Sequence, residues 1–89
     1  MSSITYEQMY DVLRDLGFEE RAIPGSHVSF VKDVPPVTIL LPQMRLSLHV
    51  KPVHLRMVVH QLVTRSILTE ERWDRLVHER VSRRRAANQ

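Results

Sequence analysis

Near the start of the chain the apolar positions recur at helical spacing. Met9, Val12, Leu13 and Leu16 fall at i, i+3, i+4 and i+7, which lays one buried stripe along a helix. Thr5 as N-cap with Gln8 three residues on forms a capping box, and Ile4 and Met9 stand where a hydrophobic staple closes. Gly17 follows as the residue after the C-cap, and Phe18 is placed to fold back on the last turn. The acids on the outer face of this helix are read as a solvated surface.

From Phe18 the period changes from helical to alternating. Phe18–Ile23 predicts a short strand, broken by Pro24 and Gly25. His27–Lys32 predicts a second, with Val28 and Phe30 on one face and His27, Ser29 and Val31 on the other. Asp33–Val34–Pro35–Pro36 is a turn, because prolines deny the ladder its donors. Val37–Leu41, β-branched and apolar, is the third strand, and Pro42 stops it. Short connections make the three an antiparallel meander.

Gln43–Lys51 reads as a loop or a short extra strand, since Leu46, Leu48 and Val50 alternate with Ser47 and His49. Pro52 suits the first position of a second helix, in which Leu55, Val58, Val59 and Leu62 repeat the buried-stripe spacing. Thr69 caps a third helix with Trp73, Leu76, Val77 and Val81 as its stripe. Arg83–Gln89 has no apolar periodicity and is expected to fray. The fold class is α+β: a three-stranded antiparallel sheet with helices on one face and a further C-terminal helix. Residues 1–82 form a single domain and 83–89 a basic tail.

Composition narrows the function classes. At 89 residues and 43% hydrophobic content the chain supports one domain with a modest core. It has no cysteine, so neither a disulfide nor a thiolate nucleophile or ligand is available. No apolar run approaches the roughly 18–20 residues that span a bilayer, and Met1–Ser3 lacks the start of a signal peptide, so a cytoplasmic location is expected. The net charge of +3 is uneven: residues 1–20 hold five acids against Arg14, while the rest hold twelve bases against five acids. A pI near 10.0 is compatible with nucleic acid or an acidic protein as partner.

Among chemical motifs the sharpest is Gly25–Ser26–His27 at the entrance to a strand. Glycine permits a tight turn, and the histidine then opens the strand on the face away from Val28 and Phe30, where an exposed imidazole can move protons. An ordinary turn followed by a surface histidine is the plainer reading of the tripeptide. His49, His54, His60 and His78 have no metal-ligand spacing, and no phosphate loop or nucleophile elbow is present. Lys32, Arg45, Lys51 and Arg56 follow the histidine or flank the second helix; they either hold a nucleic-acid backbone or are scattered solubilising charge.

These residues together resemble the HicA family of bacterial toxins, over roughly Thr5 to Leu76. The resemblance rests on Leu16–Gly17–Phe18 closing the first helix, on Gly25–Ser26–His27, and on Leu41–Pro42 closing the third strand. Lys51–Pro52 leading into Leu55–Arg56, and the helix start Thr69–Glu70–Glu71, complete it. It implies a fold like the double-stranded RNA-binding domain. It also implies a messenger-RNA endoribonuclease that depends on the single histidine of the signature, here His27, and a HicB-like antitoxin that covers the histidine face. No metal or cofactor is implied. The chain departs from the family pattern at Gln43 and Met44, where a basic residue and a histidine are common, and at Val53 and His54, where small residues are common. An open sheet face bearing His27 would also carry Val31 and either Leu40 or Val37 and Ile39, apolar surface that suits a covering partner. The alternative to the enzyme is a catalytically inactive RNA- or protein-binding module of the same fold.

Overall fold

Thr5 starts the first helix as its sequence predicts. The computed structural model describes residues 4–87, and the side chains of residues 4–82. In α1, Tyr6–Asp15, the Gln8 N–H donates to Thr5 Oγ1 at 3.2 Å and the Thr5 N–H donates to Gln8 Oε1 at 2.9 Å, so the capping box is closed in both directions. Ile4 and Met9 are both buried, as a staple requires. At the other end the Phe18 N–H reaches the Leu13 carbonyl and the Gly17 N–H the Arg14 carbonyl, each at 3.0 Å, which is the Schellman arrangement. It needs Gly17 at φ +97°, a left-handed backbone, and a Cβ there would meet Lys32 Nζ at 2.7 Å. Gly17→Ala is therefore expected to cost about 1–2 kcal/mol, read as a lower urea midpoint at unchanged slope; an unshifted midpoint would contradict this account of the cap.

The sheet is built from β1 (Glu19–Ile23), β2 (His27–Lys32) and β3 (Val37–Pro42), antiparallel in the order β1-β2-β3. Phe30 lies opposite Glu20 and Ile39, and Val28 opposite Ala22 and Leu41. One face of the central strand thus meets Val37, Ile39 and Leu41, which are buried, while Thr38 and Leu40 between them are exposed. That alternation is the signature of a sheet covered on one side only.

The covering layer is helical. Helix α2, Pro52–Thr64, packs Val58 and Leu62 into the core with Leu55 and Val59 at its margin. Helix α3, Glu70–Ala87, begins where Thr69 Oγ1 accepts the Arg72 N–H at 3.2 Å, and it buries Trp73 and Val77. An Arg80–Asp15 ion pair ties α3 to α1. The expectation of a frayed tail from Arg83 is corrected by the structure: the backbone stays helical through Ala87, consistent with arginine and alanine being strong helix formers. Asn88 and Gln89 lie outside the described residues.

The segment between β3 and α2 combines the two readings open for it. It is irregular overall, yet Thr5 and His49 form an isolated antiparallel bridge, and the Tyr6 and Glu7 N–H groups donate to the Leu48 and Leu46 carbonyls. The free N–H groups of the first turn of α1 are thereby satisfied by this loop.

The Tyr10 hydroxyl is the one fully buried side-chain oxygen or nitrogen without a hydrogen bond among the described residues, while its ring packs on Phe30 at 4.8 Å between centroids. Burial, reinforced by the Glu20 carboxylate and Tyr6 and opposed by Arg14, raises the phenol above its ordinary 10.0. The folded state favours the neutral phenol, so this contribution to stability is whole below about pH 10 and is lost as pH rises through the folded-state value. Tyr10→Phe is expected to remove that alkaline loss and to add about 1 kcal/mol at neutral pH, since an orphaned hydroxyl is deleted. Urea unfolding at neutral and alkaline pH checks both, and a destabilised variant would contradict them.

Candidate functional site

Register decides what shares the open face. His27 stands opposite Ile23 and Pro42, Ser29 opposite Arg21 and Leu40, and Val31 opposite Glu19 and Thr38. Residues directly opposite one another point to the same side, so these nine form the surface away from the helices. The apolar neighbours of His27 on this face are therefore Ile23, Val31 and Leu40. Val37 and Ile39, the other choice left open by the sequence, are in the core. Leu40 is 50% exposed.

The turn before His27 is held from the far strand. Gly25 takes φ +90°, and nothing lies within 4 Å of where its Cβ would be, so glycine serves the backbone conformation there and not a close approach. The Ser26 carbonyl accepts the Gln43 N–H at 2.6 Å, which extends the β2–β3 ladder one pair beyond the strands. Gln43 thus steadies the Gly25–Ser26–His27 corner through its backbone. His27 and Ser26 are exposed, and their side chains make no hydrogen bond with other described residues.

The four basic residues singled out in the sequence do not converge. Lys32 belongs to the helix side of the sheet: opposite Val37, it donates from Nζ to the Leu16 carbonyl at 3.0 Å and so closes the end of α1. It therefore stands on the opposite side of the sheet from His27. Arg56 is exposed on α2 and lines the groove between α2 and α3. Arg45 is exposed three residues after Pro42, the partner of His27, and Lys51 is the exposed N-cap of α2. Arg21, which sequence reasoning passed over, reaches the His27 face and pairs there with Glu19 at 3.6 Å. Its signal was available, because it alternates with Ile23 along β1.

A second network also escaped the sequence. The buried Tyr6 Oη lies 2.7 Å from His54 Nδ1 and accepts the Lys51 N–H at 3.2 Å. Phenol, imidazole and backbone together pin the start of α2 to the start of α1. His54 is thereby a structural residue.

A concavity lies elsewhere. It is an open, mainly apolar groove of about 990 Å³ between α2 and α3, walled by Val59, Val63, Trp73 and Val77, and none of Gly25, Ser26 or His27 lines it. Among the described residues no three His, Asp or Glu side chains gather as a metal site, and no helix is long and apolar enough to cross a membrane. The chain matches no family model, no curated protein and no solved structure with which it was compared.

Proposed function

We propose that the chain is a HicA-like toxin of a type II toxin–antitoxin pair, a metal-independent endoribonuclease that cleaves messenger RNA with His27. The observation that carries this reading is the placement of His27: an exposed imidazole, bonded to no other described residue, at a backbone corner held by the Ser26–Gln43 bond. Its ring takes the proton from a ribose 2′-hydroxyl, and the 2′ oxygen attacks the adjacent phosphorus. The bond to the 5′ oxygen breaks, and that oxygen takes a proton from water. Gly25 and Ser26 set the approach of the phosphate, with backbone N–H groups or the Ser26 hydroxyl as donors. Arg21 and Arg45, on the face and at the end of the sheet that carry His27, and Lys51 at the helix start attract the RNA backbone. A HicB-like antitoxin covers the face, burying Val31 and Leu40.

The alternative, an RNA- or protein-binding module without turnover, is favoured by two observations. Lys32 and Arg56 lie away from the His27 face, and no second acid–base group is bonded to the imidazole among the described residues. Product chemistry separates the two. The enzyme leaves a 2′,3′-cyclic phosphate and a 5′-hydroxyl at each cut, visible by mass spectrometry, whereas a binder returns intact RNA. Ends with a 5′-phosphate would overturn the mechanism given for His27.

A further inference from the structure

The two edges of the sheet are guarded differently. The Gln43 N–H donates to Ser26, so residues 26 and 43 form a hydrogen-bonded pair of the antiparallel ladder. Such pairs alternate with non-bonded ones, which makes Val28–Leu41, Phe30–Ile39 and Lys32–Val37 the bonded pairs between β2 and β3. The N–H and C=O groups of Thr38 and Leu40 therefore point out of the sheet, and no other described backbone group bonds them. By the same alternation β1 turns Glu20 and Ala22 outward. That edge is protected by charge, with Glu19, Glu20 and Arg21 along it. Strand β3 carries no charged residue at all, and an uncharged, β-branched edge is the kind that pairs with another strand.

We propose that β3 is a self-association edge, at which a second copy of this chain adds its own β3 antiparallel across a two-fold axis centred on Ile39. The sequence VTILL is self-complementary in that register. Val37 faces the partner's Leu41 on the helix side, and Thr38 faces the partner's Leu40 on the open side, so apolar meets apolar and no like charges oppose. The outward N–H and C=O groups of Thr38 and Leu40 then exchange four hydrogen bonds with their counterparts. The half-exposed Leu40 side chain gains cover from the partner's Thr38. The same operation on β1 would set Arg21 against its own copy, which is why pairing selects β3. Pro36 and Pro42 bracket the strand and limit the added ladder to its own length. The union is closed, because each copy spends its one uncharged edge. It joins two three-stranded sheets into a six-stranded one with both His27 residues on the same side, since a two-fold axis normal to the sheet keeps its faces. The contact is small, so the dimer is weak and reversible. The proposal stands apart from the ribonuclease reading, and its test needs no RNA.

Sedimentation equilibrium of the full chain over rising concentration is expected to show the mass climbing from 10.5 kDa toward twice that value. The Thr38 and Leu40 amides are expected to exchange more slowly with solvent as it climbs. Thr38→Pro, which deletes an outward donor that the monomer does not use, should hold the chain monomeric, while Ala22→Pro on the charged edge should leave association unchanged. A wild type that stays monomeric overturns the proposal. So does a dimer that survives Thr38→Pro, or one lost on Ala22→Pro. Should Thr38→Pro fail to fold, the wild-type amides decide: unchanged exchange at Thr38 and Leu40 in a dimer overturns the edge as its site.

Discussion

His27→Ala is expected to lower the rate of RNA cleavage by about 10²–10⁴-fold, the range that a positioned general acid or base contributes. The same variant should change folding stability by no more than about 0.5 kcal/mol, because an exposed side chain outside any network is removed. Both halves follow from geometry. The ring stands on the uncovered face opposite Ile23 and Pro42, bonded to no described group. The backbone bond that holds its turn, from the Gln43 N–H to the Ser26 carbonyl, does not involve the imidazole. A variant that loses cleavage and unfolds at a lower urea concentration would instead make His27 a structural residue. One that cleaves at the wild-type rate would remove it from the chemistry.

The second large effect is on stability. Phe30→Ala is expected to cost about 3–5 kcal/mol, the range for deleting a buried aromatic ring. Phe30 has no exposed surface, sits on the central strand between Glu20 and Ile39, and stacks against Tyr10 from α1. The ring therefore touches both layers, and neither can close the cavity without leaving the other. At about 0.05–0.15 kcal/mol per residue, this loss removes a large share of the stability of a chain of 89 residues. Circular dichroism through a urea titration should show a steep fall in midpoint. A fall below about 1 kcal/mol would mean that the ring's contacts are less complete than the packing indicates.

Much of the fold was legible because local signals agreed with one another. Thr5, Gln8, Gly17 and Phe18 mark both ends of α1, and each makes the bond its position demands. His27–Lys32 begins and ends as its alternation predicts, and Pro42 closes β3. What escaped depends on contacts between distant segments. Nothing near Tyr6 announces that its hydroxyl serves His54 and Lys51, 48 and 45 positions away. Lys32 looks like any surface base until register sends it to the helix side, where the Leu16 carbonyl awaits a donor. The choice between Leu40 and its neighbours for the open face needed the β2–β3 pairing, since alternation alone leaves the phase of a strand undetermined. For the site, the Gly25–Ser26–His27 corner was visible in sequence, whereas its brace from the Gln43 backbone and the arrival of Arg21 on the same face were not.

The most direct test of the central claim is incubation of a defined RNA with purified, partner-free chain in EDTA, with His27→Ala in parallel. The account predicts discrete cleavage by the wild type and loss of it in the variant. Intact RNA in both reactions, from protein shown to be folded, would contradict the ribonuclease and leave the binding module.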